Sequence, residues 1–385
     1  MRVIDLFCGA GGMSLGLKNA GFEIMQAYDF WVPAVSTYRE NIGHHVWKHD
    51  LKDILGVGAM ISQLKPDMIA GGPPCQDYSI AGEMREGENA GMTKAFAMLV
   101  AVARPTWFLM ENVEQARKSK AWAEAREILV RAGYGLTIRK LDASYYGVAQ
   151  SRKRLFVIGR LGERDGFLNS ALMSARSDKQ TVLGDVWGED CPPIFLYPRF
   201  RLNKAVWSSH EAAPTIIASS LRPIPDGREV PEGTIVPTIQ QMGQLQGFPA
   251  DWSWMGRSKH ERMKLIANAV PVSLAEAIGK AILDRETGES IPAIQGNFVG
   301  WLMRRGQSNA VARNAKAHFV KARKLLGGRT FRDVRLEILA LEELPEFDVL
   351  DRKVKSNIRA AVRLYAEYLE IGILRVKAEK LKMAA

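Results

Sequence analysis

Residues 1–160 repeat one pattern: a short apolar run, a turn marked by glycine or proline, then a helix signal. Residues 2–7 read as a buried strand and run into Cys8-Gly-Ala-Gly-Gly12. Residues 13–20 carry helical spacing and stop at Gly21, and residues 23–28 read as a second strand. Residues 67–70 and 107–110 are apolar runs of the same kind, and 136–141 with 155–159 suit a hairpin. Strand-turn-helix repetition predicts a parallel sheet covered by helices, because parallel neighbours need a crossover that packs back on the sheet. The expected class is α/β.

Beyond that region the pattern changes. Residues 161–236 scatter Pro, Ser, Arg and Trp with weak periodicity, as in a small loop-rich lobe. Residues 273–283, introduced by Pro271 and Ser273, read as a helix. Residues 284–297 suit a linker, and 298–384 have helical periodicity with few strand signals. A chain of 385 residues is expected to hold two or three domains.

Charge is unevenly distributed. The net is +11, yet residues 290–385 hold 19 Lys+Arg and 10 Asp+Glu, so 1–289 carry only +2. The excess concentrates in residues 304–335, an electrostatic footprint for polyanions, nucleic acid first, or else a solvated helix face. Three cysteines, Cys8, Cys75 and Cys191, build neither a disulfide framework nor a four-cysteine metal site, so no metal and a reducing cytoplasm are expected. The longest uncharged apolar run, residues 95–103, is far short of the roughly 20 a bilayer requires, so no membrane partner is expected.

Four segments carry chemistry. Glycines after a first strand let backbone amides approach a ligand, although the spacing here is not the dinucleotide fingerprint and also suits a tight turn. Asp29, past the second strand, stands where an acid commonly binds ribose hydroxyls. Two prolines stiffen the backbone before Cys75, a good way to present a thiolate nucleophile. Glu111 follows a strand end, where an open α/β sheet faces its ligand. Arg152 and Arg154 alternate before a strand, so both are expected on one face.

Six motifs in order resemble those of the DNA cytosine-5 methyltransferases that use S-adenosylmethionine. They are Asp5-Leu-Phe-Cys-Gly-Ala-Gly-Gly12, Pro73-Pro-Cys-Gln76, Glu111-Asn-Val113, Gln150-x-Arg-x-Arg154, Leu245-Gln-Gly-Phe-Pro249 and Asn268-Ala-Val-Pro271. The resemblance implies a Rossmann-like S-adenosylmethionine-dependent methyltransferase sheet over residues 1–163 plus 265–285. It implies a target-recognition lobe and connecting segment over 164–264; outside the family core, periodicity and charge predict a basic all-helical domain, 290–385. It implies that Cys75 adds to C6 of a flipped cytosine, that Glu111 holds the N3 and N4 edge, and that Arg152 and Arg154 hold O2. Phe7, Gly9, Gly11 and Gly12 would surround the methionine end of the cofactor, and Asp29 its ribose. Asp50 and Leu51 would meet adenine, with Pro74 and Met92 alongside, and Asn268 and Val270 would close the site. The late helix would pack back beside the first strand. Gln76 and Ser79 would contact DNA.

The chain departs from the family pattern at Gln240-Gln241, where an Arg-Glu pair is usual, and at Ala267, where glycine is usual. The C-terminal segment loosely resembles the helical core-binding domain of phage-type recombinases, which favours DNA contact by Arg304, Arg305, Arg313, Lys316, Lys321, Arg323 and Lys324. The expected partner is double-stranded DNA, with a restriction endonuclease in the same bacterial or phage cytoplasm, and the expected state is a monomer. The alternatives are an RNA (tRNA) cytosine methyltransferase and a non-catalytic DNA-binding regulator.

Overall fold

The computed structural model describes residues 1–74, 90–198, 204–287, 294, 297–329, 331 and 333–382, with side chains to residue 370. They form two compact units: Met1–Leu161 with Leu172–Lys280, and Gly162–Ala171 with Ala281 onward.

The first unit is built on a seven-stranded sheet. Its strands are β1 (Arg2–Leu6), β2 (Glu23–Asp29), β3 (Val46–Lys48), β4 (Met68–Gly71), β5 (Trp107–Asn112), β6 (Tyr134–Asp142) and β8 (Lys153–Leu161); a two-residue β7 (Gln150–Ser151) lies outside it. The order is β3-β2-β1-β4-β5-β8-β6. β1 to β5 run parallel, whereas β8 is antiparallel to both β5 and β6. The sheet is therefore mixed, where the repeat alone predicts an all-parallel one. No helix crosses over between β6 and β8, and without a crossover consecutive neighbours run antiparallel. β4 and β5 are buried at every position, the mark of strands covered on both faces.

One core face joins Ile4, Leu6, Ile69, Phe96 and Phe108. A second cluster joins Ala10 in the glycine turn to Leu183, Ile194 and Trp207 of the lobe, and to Leu245, Phe248 and Val272. The helix Val272–Thr287 packs on the helix Gly12–Asn19, which follows the first strand: a Cβ at Gly16 would lie 2.6 Å from Ala275 Cβ. The segment Lys259–Thr287 has the length and apolarity of a membrane span, but 67 % of its most apolar stretch is buried inside the protein. That is how a core helix behaves.

The second unit is helical, with Phe298–Arg304, Asn309–Leu325, Val334–Glu342, Pro345–Asp348 and Arg352–Lys382. Phe298, Trp301, Phe319 and Tyr365 form its aromatic centre, with Phe319 and Tyr365 stacked at 4.0 Å. Residues 162–171 group with these helices and not with the lobe, whose start the motif pattern puts at 164. Charge explains the difference. Glu163, fully buried, accepts from Arg285 Nη2 at 2.6 Å, and Arg164 and Arg323 lie 3.6 and 3.4 Å from Glu337. A buried carboxylate must be paired, so Glu163 goes where its arginine is. For the same reason the helix runs through Arg285 to Thr287, into the stretch expected as linker from 284.

Candidate active site

The parallel pairing of β1 with β2 sets Leu6 beside Tyr28, so both strands end at one edge of the sheet. Past Leu6 the chain takes positive φ at Phe7 (58°), Gly9 (56°) and Gly11 (93°) before the helix Gly12–Asn19 begins. Asp29, at the end of β2, ties this turn down. Its Oδ2 accepts from the Gly9 N–H and its Oδ1 from the Trp31 N–H, each at 2.8 Å. Burial pushes the Asp29 carboxyl up, and these backbone donors oppose that. A Cβ built at Gly9 would meet nothing within 4 Å, so open space lies over the turn. Next to Asp29, the Phe30 ring is 66 % exposed.

The far end of the unit closes on the same turn. A Cβ at Gly12 would lie 2.1 Å from the Val270 carbonyl oxygen, so glycine there permits the contact. The structure thus brings together Phe7, Gly9, Gly11, Gly12, Asp29 and Val270. Of the other residues expected at the cofactor, Leu51 is buried, Pro74 and Met92 are half-buried, and Asp50 and Asn268 are exposed. Beneath lies Asp5 of β1, wholly buried, whose Oδ2 accepts from Ser14 Oγ at 2.6 Å; Tyr38 donates to the same hydroxyl at 2.9 Å. Burial pushes the Asp5 carboxyl up to about 7.

Glu111 is the penultimate residue of β5, paired with Phe156 of β8 one step past the last β4 pairing at Met110. Its Oε1 stands 3.1 Å from Arg154 Nε, and its Oε2 would be 3.5 Å from a Cβ at Gly72. Burial raises the Glu111 carboxyl, while Arg154 and then Arg152 pull it down. Beside it, Asn112 Nδ2 donates to the Pro73 carbonyl at 3.4 Å, holding the end of the Gly72–Pro74 stretch against β5. Cys75, Gln76 and Ser79 lie outside the described residues.

Arg152 departs from expectation. It lies between β7 and β8, and its guanidinium is engaged by backbone carbonyls, although it also helps Arg154 to lower the Glu111 carboxyl. Only 2 % exposed, Arg152 donates to the carbonyls of Ala267 (2.6 Å), Ala269 (3.3 Å) and Ile216 (3.4 Å). It braces backbone, whereas Arg154 faces Glu111. Two buried glutamines complete the brace. Gln150 Nε2 donates to Leu245 O at 3.0 Å and Gln246 Oε1 at 2.7 Å, and its Oε1 accepts from the Ile216 N–H at 2.9 Å. Gln246 Nε2 donates to Ile266 O at 2.9 Å and Ala269 O at 3.1 Å. Three motifs far apart in the chain, at 150, 245 and 268, thus meet through satisfied buried amides. Gln246, Asn112 and Phe30 are absent from the sequence-derived residue set. The first two sit inside its motifs, and a polar residue within a motif bounded by buried neighbours was the available signal.

Gln240-Gln241 has a local use here. Gln241 caps its own helix with Thr238, each side chain accepting from the other's backbone N–H, and Gln240 reaches the Trp252 carbonyl. In the helical unit Arg304, Arg305, Arg313, Lys316, Lys321 and Lys324 are exposed. Arg323, expected on DNA, is 3 % exposed and pairs with Glu337; the apolar face of its helix carries it inward, where a carboxylate neutralises it.

The sequence pattern of the C-5 cytosine-specific DNA methylase family matches residues 1–226 and 237–284. The type II methyltransferase M.HindV of Haemophilus influenzae is 38 % identical over 298 residues, covering 74 % of this chain and 97 % of that one. M.HgiDI of Herpetosiphon aurantiacus, also a type II methyltransferase, is 40 % identical over 286 residues, covering 71 % and 92 %. In fold, the chain is similar to the S. pombe Dnmt2 methyltransferase, with a TM-score of 0.54 at 19 % identity over 74 % of this chain and 97 % of that one.

Proposed function

The chain belongs to the C-5 cytosine-specific DNA methylase family, and we propose that it transfers the methyl group of S-adenosylmethionine to C5 of a cytosine swung out of duplex DNA, through a bond between Cys75 sulfur and ring carbon C6. The observation that carries this reading is the Glu111–Arg154 pair, 3.1 Å apart at a strand end, beside the Gly72–Pro74 stretch that leads into Cys75. The open space over Gly9, the half-buried Asp29 and the exposed Phe30 face fit a sulfonium nucleoside with an amino-acid tail. The turn would take the methionine end, Asp29 the ribose, and Phe30 with Asp50 and Leu51 the purine. Pro74, Met92, Asn268 and Val270 would line its edges. Bound there, S-adenosylmethionine supplies the electrophilic methyl that C5 accepts.

The chain's own groups account for the rest. Cytosine C5 is a poor nucleophile until a thiolate bonds to C6 and drives the ring's electron pair toward N3 and C5. Glu111, its carboxyl raised by burial, keeps a proton to higher pH than an ordinary glutamate and donates it at N3 while its other oxygen accepts from the N4 amine. Arg154 keeps that carboxyl in place and offers its remaining donors to O2. Arg152 is a positioning residue, acting through the carbonyls it binds. After methylation the C5 proton leaves to a base, the C6–S bond breaks, and the N3 proton returns to Glu111. A base stacked in a helix cannot expose both faces to thiol and cofactor, hence the extrusion.

The relatives' type II designation suggests methylation of a fixed duplex site, shared with an endonuclease in a bacterial or phage cytoplasm. Every proposed group sits on one chain, so a monomer suffices. Duplex DNA carrying 5-fluorocytosine tests the chemistry, because fluorine at C5 blocks the final elimination. With S-adenosylmethionine present, a denaturation-stable adduct is expected from the full chain and none from Cys75→Ser. An adduct undiminished in Cys75→Ser, or none from the intact protein on a methylatable sequence pool, would overturn the reading.

A further inference from the structure

The family match ends at residue 284, so the helical unit is an addition that the proposed chemistry does not use. Its charge is divided sharply. Residues 291–332 hold nine Lys+Arg and no Asp or Glu, whereas residues 333–385 hold ten of each. The later cations meet carboxylates: Lys355 lies 2.9 Å from Asp348 and Arg359 2.8 Å from Glu342. Of the earlier ones, Arg305 pairs with Glu367 at 2.6 Å, and Arg323 is buried on Glu337. Arg313, Lys316, Lys321 and Lys324 are exposed on the helix Asn309–Leu325, and among the described residues no carboxylate pairs with them. The opposite face of this helix, with Ala312, Phe319 and Ala322, is buried. The four cations are therefore fixed in one outward stripe.

The dimensions and chemistry of the stripe narrow its ligand. Arg313 and Lys324 are 11 residues apart, about 16 Å along a helix axis. That length spans several successive phosphates and exceeds the width of either duplex groove, about 12 and 6 Å. The exposed residues between, Asn314 and Ala317, are small and neutral and let the helix approach closely. Phe298, Trp301, Phe319, Phe347 and Tyr365 are all buried. Single-stranded nucleic acids are held by exposed rings on which bases stack, and among the described residues this unit has no fully exposed ring, Phe331 and Tyr368 being half-buried. Point charges without rings suit the outside of a duplex.

We propose that the helix Asn309–Leu325 is a sequence-independent clamp on the phosphate backbone of duplex DNA, with Arg313, Lys316, Lys321 and Lys324 each on a phosphate. The proposal rests on the reading that DNA is the substrate, and gives the enzyme a hold on DNA between target sites. Full-length protein with all four residues changed to Gln is compared with the parent. A random-sequence duplex of about 30 base pairs is titrated by fluorescence anisotropy over a range of KCl. Each lost phosphate contact lowers the slope of log affinity against log salt by about 0.9, so the variant's slope should be shallower by about two to four, with affinity about 10- to 100-fold weaker at low salt. Its melting temperature should stay that of the parent. A second variant, Asn314→Lys with Ala317→Lys, should steepen the slope, and it keeps the test valid if the first fails to fold. An unchanged slope in both overturns the clamp, as does a change seen with single-stranded RNA but not with duplex DNA. Methyl incorporation by the parent into the same pool reports separately on the chemistry: incorporation with an unchanged slope defeats the clamp alone.

Discussion

The two units handle charge in opposite ways. In the methylase unit the side chains that matter are buried or half-buried and held by neighbours: Asp29 by two backbone amides, Arg152 by three carbonyls, Glu111 by Arg154. In the helical unit four cations stand outside with no carboxylate among the described residues to answer them. Buried groups of the first kind act as a set, because removing one strands the others without water. Exposed cations of the second kind add up one by one and are screened by salt. The contrast separates where bonds are remade from where a long polymer is held.

The comparison breaks most easily at Glu111. Glu111→Gln keeps the size of the side chain but has no proton to give at N3, and kcat should fall about 100- to 10,000-fold. Single-turnover methylation measures it, and a loss under tenfold would remove Glu111 from the proton transfer. Arg152→Ala comes next. Three carbonyls each lose a bond from Arg152, Ala269 keeping only that from Gln246, and stability should drop by about 3–5 kcal/mol in chemical denaturation. A change below about 1 kcal/mol would mean that the brace is dispensable.

Asp5 gives a smaller, pH-dependent effect. Its carboxyl ionises at about 7 in the folded protein and near 3.9 unfolded. The folded state therefore keeps the proton longer, and stability is full at low pH and declines as pH rises from about 4 through about 7, by on the order of 2–4 kcal/mol. Asp5→Asn, which still accepts from Ser14, should flatten that decline; a parallel decline in parent and variant would place its source elsewhere. The smallest effect belongs to the other unit. Lys324→Gln alone should lower the salt slope by about one and leave melting unchanged, and a larger loss would mean that the stripe, like the buried set, acts as a whole.

The succession of strands at the start of the chain, the glycine turn, the hairpin of β6 with β8 and the place of Glu111 near a strand end were legible because each depends on neighbours a few residues away. Arg152 was not. Its partners come from residues 216, 267 and 269, far along the chain. Glu163 and Arg323 were hidden for a related reason: a charged residue reads as surface, and only a distant opposite charge, Arg285 or Glu337, turns it inward. Asp29 lay between these cases. Its spacing from the turn suggested a ligand contact, while its two hydrogen bonds to Gly9 and Trp31 depend on how β1 and β2 end together.

The closeness of Gly12 to the Val270 carbonyl has a consequence for biosynthesis. One wall of the glycine turn is translated 258 residues before the other. Until that stretch leaves the ribosome the turn stays open on one side, however well the early strands have paired. A prematurely released chain would thus lack one wall of this turn, which would be completed in a single late step. A permuted chain that joins residue 280 to residue 1 and opens in a surface loop would bring these two walls together early, and would show whether that delay limits how fast active enzyme accumulates.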